Sequence, residues 1–146
     1  MGWTTDLLYG VAEHLAATGA GTWQPTGTYL TGTARPIVLS SVPGSPDEVI
    51  VLSAYGGRGD PGMTDVVQGV QARTRGVAGS VASVLELDDL VRDALDGLRD
   101  VVLHGIPIVL VTWDSGAPLG TDGNRRHERS ANYYINAIRT SPYRYD

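Results

Sequence analysis

The stretch EVIVLSAYGGRGDPGMTDVVQGVQARTR, residues 48–75, decides the fold. Residues 48–55 form a short apolar run rich in β-branched side chains. GGRGDPG (56–62) is a breaker, and residues 66–75 alternate with a period of two. The alternation puts Val66, Gln68, Val70, Ala72 and Thr74 on one face and Val67, Gln71, Arg73 and Arg75 on the other. One side is therefore buried and the other wet. A breaker this short cannot carry a parallel crossover, so the two strands pair antiparallel.

Upstream, residues 36–40 (PIVLS) form another apolar run, separated from the first by VPGSPD (42–47), a hairpin-length breaker that predicts a further antiparallel pair. Residues 21–36 read mainly as loop, with Trp23 and Tyr29 spaced among Thr and Gly. Before them, Leu7, Leu8, Val11, Ala12 and Leu15 recur at helical spacing, with Thr4 or Thr5 as cap and an end near Gly19.

Downstream, Ser83-Val-Leu-Glu86 matches a capping box. Leu87, Leu90, Val91, Ala94, Leu95 and Leu98 then mark a helical stripe closed near Gly97. Residues 101–103 and 106–113 flank His104-Gly105, a hairpin signal, with Pro107 implying an edge position or a strand start. In 131–139, Tyr133, Ile135 and Ala137 share one face and Asn132, Tyr134, Asn136 and Ile138 the other. The order is helix, three strands, helix, three strands. It predicts an α+β fold of one domain, residues 1–146, with an antiparallel or mixed sheet and both helices on one face.

At 146 residues and 15.5 kDa the chain is long enough to bury one core without staples. The absence of cysteine rules out disulfides, thiolate metal sites and a Cys nucleophile. The start MGWTTDLLYG has no basic segment or long apolar run, and no window approaches a membrane helix, so a soluble, unexported chain is expected. A net charge of −5 disfavours sequence-independent nucleic-acid binding. Lysine is absent and all 11 cations are arginines, which fits both a coding bias and planar guanidiniums serving carboxylates at interfaces.

Catalytic patterns are missing from the sequence. His14, His104 and His127 make no ligand spacing, and no GxSxG, phosphate-loop or dinucleotide motif occurs in its required context. Asp88-Asp89 fits the first turns of a helix, where its dipole favours acids. Asp122-Gly-Asn124 reads as a turn rather than a calcium loop. Arg58-Gly-Asp60, the integrin tripeptide, reads as a chance match. No enzyme activity, cofactor or metal is expected.

The arginines remain. Arg73 and Arg75 on one strand, with Arg125, Arg126 and Arg129 leading into another, give a polar flank beside the sheet. Together with Arg58, Asp60 and Asp122 in the loops 56–63 and 116–124, they are the candidate interface with other subunits. Arg125, Arg126 and Arg129 are expected to meet carboxylates of an adjacent subunit, in the 88–100 helix region or the 60–65 loop. Ordinary solvated arginine on an open sheet face is the competing reading.

Several segments taken together resemble a known family: SGAPLGTD (115–122), RSANYY (129–134), VQARTR (70–75), the helix 84–97, WTTDLL (3–8) and the Ser45-Pro-Asp47 turn. In this order they resemble the small phage proteins known as minor capsid proteins, similar to tail terminators of long-tailed phages of actinobacterial hosts. The resemblance implies a fold like that of tail-tube and head-completion proteins and a homohexameric ring that caps the tail tube. The ring would stop tube polymerisation and present the surface for head joining. It implies three partners: further copies of the chain, the tail tube protein and a head-completion or connector protein. DNA would pass through the lumen without specific binding, with no membrane involved. The place would be the head-proximal end of the virion tail, assembled in the host cytoplasm. No catalytic residue carries over. The alternative is a small bacterial or phage adaptor domain, monomeric or dimeric, using the same loops on one protein partner.

Overall fold

The computed structural model of the chain describes residues 2–39 and 41–145, so Ser40, the last residue of one expected strand, lies outside the described residues. Helix α1 (Trp3–Ala17) buries Leu7, Val11, Ala12 and Leu15 along one stripe. Gly10 is on the same stripe because nothing larger fits: a Cβ there would sit 2.7 Å from the Leu103 Cβ. The helix starts before the threonines, at Gly2, with no side-chain cap. A tertiary contact anchors this end, the Trp3 indole donating to the Ile138 carbonyl at 3.0 Å. Gly19, at φ 87°, ends the helix as its position suggests.

Helix α2 (Val81–Leu95) buries Val84, Leu87, Val91 and Leu95. Its cap is Ser80 rather than Ser83: the Ser80 hydroxyl accepts from the Ser83 amide at 3.2 Å. The Ser83 hydroxyl instead accepts from the Val77 amide, tying down the preceding turn.

Seven strands follow the order β1-β2-β3-β4-β7-β6-β5 in one sheet. They are β1 (Thr22–Trp23), β2 (Pro36–Leu39), β3 (Val49–Gly59), β4 (Asp65–Arg75), β5 (Arg99–Leu103), β6 (Ile106–Thr121) and β7 (His127–Ile138). From β3 to β5 every pairing is antiparallel. The β2–β3 pair is parallel, contrary to the hairpin expected from residues 36–55, and the two-residue β1 is parallel to β2. The reason is the shortness of β2. Returning along four residues requires only about 10 Å, which the connection from Leu39 to Val49 spans without a helix at about 3.3 Å per residue. The sheet is therefore mixed.

Strands β3, β6 and β7 also extend further than the sequence suggests: β3 takes up half of the supposed loop 56–63, β6 most of 116–124, and β7 starts at His127 rather than at residue 131. Their extensions lack apolar alternation and are held by ladder pairing, as in Gly59↔Val66 and Thr121↔His127, with ion pairs from Glu128 and Arg129 added on β7. The His104-Gly105 turn matches its signal, both residues having positive φ (47° and 81°), the geometry of a tight hairpin.

Register puts Leu52, Ala72 and Ala131 in one row and Ala54, Val70 and Tyr133 in the next. Leu52, Val70, Ala72, Ala131, Tyr133 and Ile135 belong to the same buried cluster as the stripes of α1 and α2, so both helices cover one face. The sheet curls around α1. The Tyr9 ring on that helix lies 5.2 Å from Trp23 on β1 and 5.6 Å from His104 at the β5–β6 turn, near the two outer strands.

Candidate assembly surface

The arginine flank divides sharply when its partners are located. Arg75 is 3% exposed, its guanidinium donating to the Pro46 carbonyl at 2.7 Å and the Asp47 carbonyl at 2.8 Å. Arg126 is 5% exposed and meets the Asp122 carboxylate at 2.8 Å, the Gly44 carbonyl at 2.7 Å and the Asp47 carboxylate at 3.4 Å. Asp47 in turn accepts from the Ala78 amide. Buried charges persist when each donor has an acceptor, and here the acceptors are carbonyls of the β2–β3 connection. The two arginines therefore staple that connection to the far ends of β4 and β7. Burial, and then the neighbouring Arg126 charge, lower the Arg75 pKa, yet the group stays charged because its ordinary value is so high.

Asp122 closes the β6–β7 turn. Its carboxylate accepts from the amides of Asn124 and Arg126 and from the Arg126 side chain. Those contacts, the Arg126 amide first, hold the carboxyl below its usual range.

Arg129 reaches Asp88 on α2 at 3.4 Å, and Arg73 reaches Glu128 at 3.0 Å. The Arg129 acid is in the helix the sequence pointed to, but in the same chain. Arg126 likewise has its partners within the chain. Burial raises the Asp88 pKa, with the Arg129 charge opposing, and its Oδ1 has no partner among the described residues. Arg125 is exposed at the turn tip, at φ 59°, without an ion pair among the described residues. Arg58 and Asp60 are exposed at the other end of the sheet.

The uncovered face is polar and self-bonded. Gln71 donates to Asn132, Asn132 to Ser115, and Ser115 to Asp114. Beside them the Tyr55 and Tyr134 rings are 6.1 Å apart, and burial first, with Tyr134 and Asp114 adding, pushes the Tyr55 hydroxyl to about 12. Two of the three histidines bond across the fold: His14 meets the Ala94 carbonyl at 2.9 Å and His104 the Glu13 carboxylate at 2.6 Å. Among the described residues no cluster of His, Cys, Asp or Glu can hold a metal ion, and no helix is long and apolar enough to cross a membrane.

The sequence did not reveal the exposed apolar side chains. Val81 and Leu85 on α2, Leu119 on β6, and Met63, Tyr143 and Tyr145 near the chain end all project into solvent. A groove of about 810 Å³ also opens beside β1, lined by Tyr9, Trp23, Tyr29 and Leu30. Its signal was the pair of aromatics in the Thr- and Gly-rich segment after α1.

Neither a family model nor a curated protein matches the sequence. A solved structure does match the fold. A chain of the "Virion of native gene transfer agent (GTA) particle" superposes with a TM-score of 0.59 over 92% of this chain and 96% of that one, at 16% identity. The two chains share one architecture. The overlap covers nearly the full length of both, so the likeness concerns the complete arrangement of two helices on a mixed sheet rather than a common hairpin.

Proposed function

We propose that this chain is a structural protein of a phage or phage-like virion and, within it, the tail terminator. In this reading copies form a ring, a hexamer by resemblance, that caps the tail tube, stops its polymerisation and offers the joining surface for a head-completion protein. One observation carries the reading: the end-to-end likeness to a chain of a gene transfer agent virion. The sequence segments resembling tail terminators add to it independently.

The surface chemistry supports the same reading. The ion pairs of the described residues are spread over the fold rather than converging in a pocket with a nucleophile and a base. A net-negative chain suits a ring through which DNA passes without adhering. Of the arginine flank, Arg58, Arg73 and Arg125, with Asp60, are the members available to partners. Arg75 and Arg126, with Asp122, act behind them by fixing the loops, and Arg129 by tying β7 to α2. The site of action is the head-proximal end of the tail.

The test is genetic. Inactivating the coding sequence in cells that produce the particle should give headless tails of irregular, excessive length alongside filled heads. Particles with normal tail length and attached heads would refute the assignment.

A further inference from the structure

We propose that the N-terminal half of α2 is a self-association surface: two copies of the chain pack their α2 helices antiparallel across a two-fold axis at Ala82. The inference goes beyond the ring reading above and does not rest on it. A two-fold contact closes at two copies, so it describes the chain before it joins a particle.

The surface lies on the exposed side of the helix. Val84, Leu87, Val91 and Leu95 turn into the core, which leaves Ala82, Glu86, Asp89 and Asp93 in line on the opposite side, all exposed. That line changes character at one point. Residues 76–85 (GVAGSVASVL) carry no charge, and three of them project into solvent, Val77 43%, Val81 53% and Leu85 42% exposed. From Glu86 onward the line is acidic, and Glu86, Asp89 and Asp93 form no ion pair among the described residues. Arg92, the one cation of the helix, is drawn away over the Trp113 ring at 3.9 Å.

The other end of the patch carries the opposite charge. The Gly79 amide donates to the Arg125 carbonyl at 2.9 Å, so the exposed Arg125 sits beside the start of the helix, without an ion pair among the described residues. Two acids are close to it. Asp47 accepts from the Ala78 amide and Asp122 closes the same turn as Arg125, but Arg126 holds both carboxylates. Arg75 adds a further cation, donating to the Asp47 carbonyl. This end is therefore net positive, and the helix N-terminus contributes partial positive charge of its own.

An apolar centre flanked by opposite charges is complementary to itself when one copy is turned end for end. About an axis at Ala82, Glu86 of one copy falls opposite Ala78 of the other, and Asp89 passes over the Arg125 end. A parallel pairing would set acid against acid, which disfavours it. Ala82 suits the crossing point because its small side chain lets two helices approach to roughly 8 Å, the lower end of packed-helix distances. Val81 and Leu85 of both copies then close around it.

The chain has no cysteine, so single-cysteine variants report the geometry directly. The wild-type chain should sediment as a dimer at tens of micromolar. Under oxidation Ala82→Cys should convert to a disulfide-linked dimer, because the axis brings that position against itself, whereas Asp93→Cys, about three turns along the same line, should not. Leu85→Asp, checked for a wild-type denaturation midpoint, should weaken association about a hundredfold. Arg125→Glu should weaken it as well, and adding Glu86→Arg to Arg125→Glu should restore it. A wild-type chain monomeric at hundreds of micromolar would overturn the proposal, as would a dimer indifferent to Leu85→Asp or a double variant no better than Arg125→Glu alone. Equal cross-linking of Ala82→Cys and Asp93→Cys would overturn it too. Rings in which Ala82→Cys stays unlinked would overturn it and leave the ring reading standing, which the tail-length phenotype judges separately.

Discussion

Arg126 clasps Asp122 at 2.8 Å across the β6–β7 turn while reaching the Gly44 carbonyl at 2.7 Å, joining two loops that are distant in sequence. Its contacts are charge-assisted and its side chain is buried. Arg126→Ala should therefore destabilise the fold by about 1.5–3 kcal/mol, the range for hydrogen bonds to charged groups. Arg125→Ala, on an exposed neighbour, should stay within about 0.5 kcal/mol of wild type. Urea denaturation of the two variants decides the matter, and equal midpoints would show that the clasp adds nothing.

Asp88 gives stability a pH dependence of definite sign. Burial raises its folded-state pKa, so the folded chain holds this proton more tightly than the unfolded chain does. Stability therefore falls as pH rises from the ordinary carboxylate range through the folded value. Asp88→Asn removes that titration, so wild type minus variant should decline across the window, followed by denaturation between about pH 4 and 7. Asp122 works in the opposite direction. Its depressed folded value adds stability above the unfolded pKa that is lost as pH falls through the folded one. A difference between wild type and Asp88→Asn that ignores pH would contradict the burial argument.

The Tyr133 hydroxyl is fully buried and without a partner among the described residues. Removing an unsatisfied hydroxyl relieves its desolvation, so Tyr133→Phe should be neutral or stabilising by up to about 1 kcal/mol. In alkaline spectrophotometric titration, Tyr55→Phe should remove a component near pH 12. A strongly destabilised Tyr133→Phe would reveal a bond to that hydroxyl.

Gly10 presses α1 against β5. A methyl group there meets the Leu103 Cβ at 2.7 Å and its backbone carbon at 2.9 Å, atoms with no freedom to move aside. Gly10→Ala should cost about 1–3 kcal/mol despite the better helix propensity of alanine. A thermal scan showing an unchanged or raised midpoint would mean that the helix slides freely on the sheet.

Periodicity made the helices and the antiparallel centre readable. The stripe of Leu87, Val91 and Leu95 and the faces of residues 66–75 and 131–139 follow directly from burial on one side, while Leu90, assigned to the same stripe from its spacing, lies exposed. Arg75 broke its own pattern: an arginine on the outward face reads as solvated, but its partners are carbonyls of a loop far away in sequence. The same distance hid the partners of Arg126 and Arg129, since no local spacing links 44 to 126 or 88 to 129. Pairing direction failed at β2 because a four-residue strand reverses over so short a path that breaker length stops being informative. Strand ends failed at 116–121, where pairing to β7 extends a segment without alternation of its own.

The central claim, that this chain caps a tail tube at the head junction, is tested most directly by labelling the chain in purified particles and locating it by electron microscopy. The account predicts label at one place per particle, between tail tube and head, and on the corresponding single end of headless tails. Label spread along the tube, or confined to the distal tip, would contradict it.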